Sequence, residues 1–516
     1  MEAVYVGWLS IIPAVVAIGL ALLTKEVILS LVLGIFSGTM IYSVATGQNI
    51  IIGTFTNAIN IIIQSVDFPI LLLLGLLGAL IYLISISGGQ FALGRLVTKR
   101  VKTKTGTLLA TAVANCCIFI SPSFHVLSVG AVCRPLCDNA RVSRAKLSYM
   151  LDATGAPTAC IAPVSTWLAG IIAFFPATGI FANKMGVFFQ SIPFNTYCIA
   201  SIIMVFWFCF PKHDYGPMAH YERMAEKEGN LGILHPTTEA IKEEETKGSA
   251  IDMILPLVLL IGLTIFFMLY SGGMWTEGYS LTEAMANAAT TTSMCAAGLV
   301  TLVLTFILYI PRKVVTFKEF TDGIGKGVSS MNSIAIIMTL AWGIGGTCRN
   351  LLMTGDFVAH IVEESSFHLG LLPIVLFLIS CLLSFATGSS WGTFGIILPL
   401  TFSICEGVSP ELIIICIAAV LGGSTFGDHC SPISDTTVMA SGVADVNHIV
   451  HVQTQLPYAL TAAGVACIGY LVVGFTMNLL LTIVVSYGLL FIVLIILGRK
   501  YAKKEAESEE AVKKNL

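Results

Sequence analysis

Residues 422–441, GGSTFGDHCSPISDTTVMAS, lie between two apolar segments of the chain. They carry Asp428 and Asp435 together with seven hydroxyl side chains, three glycines and a proline. At membrane depth ionisable side chains are costly, and irregular backbone persists only where it lines a cavity or is covered by protein. The stretch therefore predicts an ion or substrate site inside a membrane protein.

The composition predicts a polytopic helical membrane protein. The 516 residues are 56% hydrophobic and 11% charged, with a mean hydropathy of +0.88. Apolar runs of about 20 residues recur, which is the length that crosses a bilayer core. The net charge of -3 gives no reason to expect nucleic acid. Fourteen cysteines lie mostly in apolar segments without the paired spacing of zinc sites. We expect no cofactor beyond a coupling ion.

Two segments each consist of two short apolar halves around a polar turn. Residues 107–136 turn at Ser121-Pro122-Ser123, and residues 371–403 turn at Thr387-Gly388-Ser389-Ser390. Each pattern predicts a re-entrant hairpin, and each hairpin precedes a span with polar breaks. In the first copy we expect breaks at 154–158 and 162–166. In the second copy we expect the break within residues 422–441.

The spacing between the copies indicates an internal repeat. Residues 163–166 precede residues 432–435 by 269 positions, and residues 121–123 precede residues 387–389 by 266. An offset that is kept through a hairpin and a broken helix is typical of the repeats that build secondary transporters.

Charge predicts that the copies point in opposite directions. The loops around the first hairpin are basic, whereas residues 349–368 and 404–411 contain Arg349 as their one Lys or Arg and five acidic residues. Basic loops face the cytoplasm. The basic residues of the two loops around the first hairpin are Arg95, Lys99, Arg100, Lys102, Lys104, Arg134, Arg141, Arg144 and Lys146. We therefore expect an outside N-terminus and a cytoplasmic C-terminus.

The predicted fold is all-α, with two inverted-topology repeats of about five spans and one re-entrant hairpin each. A C-terminal helix brings the total to about 11 transmembrane helices. The predicted divisions are a first repeat at 1–211, a cytoplasmic linker at 212–250, a second repeat at 251–475, an extra transmembrane helix at 476–498 and a cytoplasmic tail at 499–516.

Broken elements of two repeats meet near mid-bilayer in secondary transporters, where helix ends and freed carbonyls hold ions and substrate. Hard oxygen ligands suit Na+, and a desolvated carboxylate also accepts a proton. The predicted cation or proton ligands are Asp435, Asp428, Ser434, Thr436, Thr387 and Ser389. The predicted contacts for a substrate or second ion are Ser121, Ser123, Ser165, Thr166, His125, Ser390 and His429.

Each of these residues has a structural alternative. Asp428 and Asp435 could cap helices, and the hydroxyls could bond to their own helix. His429 is better explained as a hydrogen-bonded partner or proton-linked neighbour than as a metal ligand, because no second His lies at ligand spacing. Asp152 could pair with Arg134 or Arg144.

GGSTFGDHCSPISDTT, together with the upstream ATGSSWGTFGIILPL, resembles the NhaC-type Na+/H+ antiporters of the ion transporter superfamily. The resemblance covers most of the chain. It implies Na+ as coupling ion, a scaffold domain that forms a homodimer, and a moving domain with elevator-like alternating access. Some members resemble carriers of amino acids or small carboxylates, including malate/lactate exchangers. The family motif falls on Thr387, Ser389, Trp391, Gly392, Asp428, His429, Ser434, Asp435 and Thr436.

We therefore expect a multi-pass transporter, not an enzyme, that exchanges Na+ for H+ across the cell membrane, with both ions loading on Asp435 and Asp428. Asp435→Asn is then expected to abolish exchange. The alternative is Na+- or H+-coupled transport of an amino acid or small carboxylate through the same site.

Two other classes fit less well. An intramembrane aspartic hydrolase would take its two aspartates from facing helices, whereas both lie in one motif here. The G-x-S-x-G match at 388–392 lies between apolar half-helices, where a nucleophile elbow has no strand. A channel is disfavoured because inverted repeats with two hairpins indicate alternating access.

Overall fold

The structure is a computed structural model, and it describes residues 1–24, 26–89, 92, 103–119, 121–163, 165–176, 183–211, 213–232, 248–280, 283–284, 287–357, 360 and 368–515. Over these residues the regular secondary structure is helical throughout. Arg95, Lys99, Arg100 and Lys102 of the predicted basic loop lie outside the described residues.

The helices of the N-terminal part follow the predicted apolar runs. They are α1 Ile12–Thr24, α2 Val27–Ala45, α3 Ile50–Ser65, α4 Phe68–Ser87, α5 Lys104–Cys117, α6 Pro122–Asn139, α7 Arg144–Ile161, α8 Thr166–Phe174, α9 Lys184–Ser191, α10 Thr196–Trp207 and α11 Gly216–Arg223.

The C-terminal part repeats this order of long, short and broken helices. Its helices are α12 Ile251–Ser271, α13 Thr290–Tyr309, α14 Phe317–Ser330, α15 Asn332–Gly346, α16 Leu372–Thr387, α17 Ser390–Val408, α18 Ile413–Cys430, α19 Asp435–Ala444, α20 His448–Thr476 and α21 Leu479–Asn515.

Among the described residues, nine helices are long and apolar enough to cross a membrane, and the number reaches 11 if two bent helix pairs each count as one span. One pair joins α7 to α8 at 51°, and the other joins Lys184–Phe194 to Thr196–Trp207 at 54°. The prediction of an all-α, multi-pass membrane protein with about 11 spans is confirmed.

Each predicted hairpin region consists of two helices around a short turn, and its re-entry into the membrane stays a prediction. α5 and α6 are separated by residues 118–121, and α16 and α17 by residues 388–389. Both broken helices are present as well: α7 ends at Ile161 and α8 begins at Thr166, while α18 ends at Cys430 and α19 begins at Asp435. The two breaks are 269 residues apart, as the internal repeat predicts.

Two details of the predicted breaks are wrong. The helix α7 continues through residues 154–158, with Pro157 inside it. Every residue from Arg144 to Cys160 is buried, and surrounding protein compensates for the backbone bond that a proline removes. The second correction is that residues 422–430 belong to α18. A Cβ on Gly423 would lie 2.4 Å from the Phe377 oxygen, so this glycine serves close packing of α18 on α16.

Packing between the two halves is reciprocal. In the first half, α4 contacts α14 and α13 of the second half. In the second half, α15 is the counterpart of α4, and it contacts α3 and α2, which are the counterparts of α14 and α13. The hairpin helix α6 contacts α19, and its counterpart α17 contacts α8. This exchange of equivalent partners is what a two-fold relation between repeats produces. The two inverted repeats, with the opposite membrane orientation of the copies, stay a prediction.

The part of the 212–250 segment that the structure describes is anchored to the helix bundle. α11 packs on α7 and α20, and its Glu222 is buried. Lys146 Nζ lies 2.6 Å from Asp214 Oδ2 and 3.8 Å from Glu222 Oε2, and Lys104 Nζ lies 3.0 Å from Glu222 Oε2. At the C-terminus, α21 continues from the predicted extra span through the predicted tail to Asn515.

Candidate cation and proton site

Four helix N-termini meet at one cavity of about 600 Å³. They are the N-termini of α6 and α8 from the first half and of α17 and α19 from the second. The sequence favours these ends, because each break contains Ser, Gly or Pro, residues that cap helices or interrupt them. Predicted site residues that line the cavity are Ser121, Ser123, Thr166, Ser389, Asp428, Ser434, Asp435 and Thr436.

Asp428 is the buried carboxylate of this cavity, with 6% of its surface exposed. Ser434 Oγ donates to Asp428 Oδ1 at 2.6 Å, and Ser390 Oγ donates to Asp428 Oδ2 at 2.8 Å. The residue lies in the last turn of α18, where the partial negative charge of the helix end disfavours an anion. Two hydroxyls only partly compensate for a buried charge, which makes Asp428 a candidate ligand for a cation or a proton.

Asp435 occupies the opposite electrostatic position across the break. It is the first residue of α19, where the positive helix end stabilises an ionised carboxylate. Its side chain is exposed, and among the described residues no hydrogen bond or ion pair holds it. Asp435 is therefore free to meet an ion that enters the cavity.

The described residues that line the cavity include no Lys, Arg or His. Their charge comes from two carboxylates, and their polar groups are mainly hydroxyls. Hard oxygen groups of this kind are the ligands that suit a cation such as Na+. The four converging helix N-termini add positive partial charge, which could hold the carboxylate of an organic solute.

Several predicted site residues lie beside the cavity wall. Ser165 caps α8 by accepting from the Leu168 amide at 2.9 Å, and Thr387 donates to the Leu383 carbonyl at 2.8 Å. Ser390 does not line the cavity, but its hydroxyl donates to Asp428, which does. The observed contacts of Ser165 and Thr387 are therefore the alternative ones considered above, a helix cap for Ser165 and a bond to its own helix for Thr387.

Both predicted histidines are buried away from the cavity. His125 lies between two backbone carbonyls, with Nδ1 2.8 Å from the Ile118 oxygen and Nε2 3.1 Å from the Leu151 oxygen. His429 Nε2 is hydrogen-bonded to the Tyr197 hydroxyl, and His429 Nδ1 lies 3.1 Å from Gln455 Nε2. Neither ring is placed to touch a solute in the cavity.

The suggested pairing of Asp152 with Arg134 or Arg144 is wrong. Arg144 pairs with Asp138 at 2.7 Å, and Arg134 donates to the Val443 carbonyl. Asp152 instead contacts His451 and Gln455 of α20. Arg134 and Arg144 lie toward the ends of α6 and α7, whereas Asp152 lies in the middle of α7, two turns further along.

Sequence reasoning missed part of the cavity wall. Tyr82 and Ser85 come from α4, Ser330 and Ser333 from the junction of α14 and α15, and Trp167 from α8. Tyr82 and Ser85, like Ser330 and Ser333, are polar residues three positions apart. In an apolar span this spacing places both on one helix face, and it could have predicted this part of the cavity wall.

Gly388 joins the hairpin tip to the helix break. It has a φ of 66°, which only glycine adopts readily, and a Cβ there would lie 2.9 Å from the Ile433 backbone. The tip of the second hairpin and the 431–434 break therefore pack as one unit beside Asp428.

Comparisons with known proteins agree with this architecture. The sequence profile of the Na+/H+ antiporter family matches residues 158–475, which contain the second hairpin and both helix breaks. An uncharacterized protein of Haemophilus influenzae is 35% identical over 486 residues, which is 90% of this chain and 91% of that protein.

Two relatives with named activities match over about a third of their length. The malate-2H+/Na+-lactate antiporter of Bacillus subtilis is 31% identical over 31% of this chain and 34% of that protein. The Na+/H+ antiporter NhaC of Alkalihalophilus pseudofirmus is 31% identical over 30% of this chain and 32% of that protein. With the family profile extending over more than half of its length, this chain belongs to the Na+/H+ antiporter family and is a secondary transporter of the antiporter type, not an enzyme.

Proposed function

We propose that the protein exchanges Na+ for H+ across the cell membrane, with Na+ bound at Asp428 and Asp435. The observation that carries the proposal is a buried carboxylate, bonded by Ser390 and Ser434, in a cavity whose described lining has a second carboxylate and no basic side chain. Exchange follows when Na+ binding and proton binding exclude each other, because either ion then leaves as the other arrives.

Alternating access requires that the cavity faces each side of the membrane in turn. The hairpin tips and the second halves of both broken helices contribute to the same cavity, so they have to move together. We propose an elevator-like movement of this group against a scaffold that forms a homodimer, with the N-terminus outside and the C-terminus in the cytoplasm. The tail that follows the α21 span is basic at Arg499, Lys500, Lys503 and Lys504, which favours this orientation.

A second candidate function is Na+- or H+-coupled transport of an amino acid or small carboxylate. The cavity volume of about 600 Å³ favours it, because a dehydrated Na+ ion fills a small part of such a space. The helix N-termini at Ser121, Ser165, Ser389 and Ser434 would hold the solute's carboxylate, and Asp435 would hold an ammonium group.

The test uses purified protein in proteoliposomes with a pH dye inside. Proton movement on addition of Na+ alone, lost in Asp428→Asn and kept in Asp322→Asn, supports the exchanger. Asp322 is an exposed aspartate of α14 outside the cavity lining, so it controls for loss of an acidic group. Proton movement that requires one solute from a panel of amino acids and small carboxylates would replace the exchanger with the second candidate.

A further inference from the structure

A buried polar network lies next to the cavity, and the proposed Na+ site does not use it. Asp152 of α7 and His451 of α20 are 1% and 0% exposed, and His451 Nε2 lies 3.2 Å from Asp152 Oδ2. Gln455, one turn after His451, donates to the same carboxylate oxygen at 3.0 Å. No lysine or arginine is paired with Asp152 among the described residues.

An isolated charge is strongly disfavoured at such a depth. The Asp152 and His451 pair is neutral when it holds one proton, either as carboxylate with imidazolium or as carboxylic acid with imidazole. Three buried atoms of the network have no partner in the described structure: Asp152 Oδ1, His451 Nδ1 and Gln455 Oε1. Two of these, Asp152 Oδ1 and His451 Nδ1, are positions where a proton can be held.

The network is connected to the Na+ site through one side chain. Gln455 donates to the backbone carbonyl of His429, which directly follows Asp428 in α18. The titratable groups that lie close enough to interact electrostatically with Asp152 are Asp428, His429 and Cys430 of α18 and His125 of α6, besides His451 itself. Tyr197 of α10 reaches the network through its bond to His429.

We propose that Asp152 and His451 form the site that binds the exchanged proton, separate from the carboxylates that bind Na+. When Na+ leaves Asp428, the uncompensated negative charge draws a second proton onto the pair, and the total charge of the two sites is unchanged. When Na+ returns, that proton leaves. The inference departs from the expectation that both ions load on the same carboxylates, and its coupling step rests on the proposed function.

The transport test separates the two sites. Proteoliposomes carry wild type, Asp152→Asn, His451→Gln or the control His220→Gln, which changes an exposed histidine of α11 outside the cavity lining. Exchange of radioactive Na+ for unlabelled Na+ at equal pH needs only the Na+ site and alternation. Na+-driven proton movement needs the proton site as well.

We expect Asp152→Asn and His451→Gln to keep Na+/Na+ exchange and to lose Na+-driven proton movement, while His220→Gln keeps both. Proton movement that survives in both variants overturns the inference. Loss of Na+/Na+ exchange in variants that remain monodisperse also overturns it, because the pair would then belong to the Na+ site or to the structure.

A spectroscopic test does not depend on transport. Infrared difference spectra between acid and alkaline pH report the C=O stretch of a protonated carboxylic acid, and we expect one such band of the Na+-free wild type to be present in His220→Gln and absent from Asp152→Asn. An unchanged set of bands in Asp152→Asn refutes the proton site. A wild type that lacks Na+/H+ exchange but shows the Asp152 band refutes the proposed function and leaves the proton site standing.

Discussion

Replacement of Asp428 by asparagine tests how much of Na+ binding depends on one buried charge. A unit charge about 4 Å from a cation contributes about 4 kcal/mol at an effective dielectric constant of about 20. Loss of that attraction corresponds to roughly a 10³-fold weaker affinity for Na+. The fold should survive, because Ser390 has a second acceptor in the Ser424 carbonyl and Ser434 has one in Thr436.

The assay is isothermal titration of Na+ into purified protein, followed by flux in proteoliposomes. Asp435→Asn is the informative comparison, because Asp435 is exposed and solvent screens its charge. We expect its affinity loss to stay within about tenfold. The burial of Asp428 thus reverses the sequence-based emphasis on Asp435. An Asp428→Asn protein that binds Na+ within tenfold of wild type would refute the assignment of Asp428 as the principal ligand.

Three further predictions concern the hairpin tip, the hydroxyls and the linker. Gly388→Ala should lower thermal stability by about 1–3 kcal/mol through strain and the clash with Ile433, whereas Gly464→Ala, with open space at its Cβ, should be tolerated in the same melting assay. Ser434→Ala should weaken Na+ binding in calorimetry, while Ser165→Ala should cost about 1 kcal/mol of stability as a lost helix cap and leave Na+ affinity unchanged. Burial raises the pKa of Glu222, but Lys146, Lys104 and Ser143 together hold that pKa below its ordinary value of 4.5. The stabilisation that ionised Glu222 gives to the fold is therefore present above about pH 4.5, and it is lost as the pH falls through the lowered pKa. Hydrogen exchange of α11, corrected for its intrinsic pH dependence, should show a loss of protection only in that acid range.

The sequence was sufficient to predict elements that depend on local chemistry. Polar turns between short apolar halves located both hairpins, and the 269-residue offset matched the breaks at 162–165 and 431–434. Turn residues end helices for reasons carried by the residues themselves, so no tertiary information was needed.

Features that depend on tertiary contacts were not accessible in the same way. Pro157 reads as a helix break, yet the helix continues because protein surrounds it on every side. Asp152 finds its partner His451 at a separation of 299 residues, and the nearer arginines are the wrong choice. Ser165 and Ser434 look alike in sequence, but the direction of each hydroxyl decides whether it caps a helix or contacts Asp428.

The break at 431–434 gives the two cavity carboxylates different tasks. Because the helix stops between them, Asp428 lies at a negative helix end and Asp435 at a positive one. Asp435 is placed to attract cations into the cavity, whereas a charged Asp428 is stable only when a cation or a nearby positive charge compensates it. Ile433, in the same break, packs on the Gly388 hairpin tip. We propose that an ion bound at Asp428 strengthens this contact between the tip and the helix. An empty, uncompensated Asp428 would then resist the crossing of the membrane that a filled or proton-balanced site permits, which is the condition that makes transport an exchange and prevents a leak.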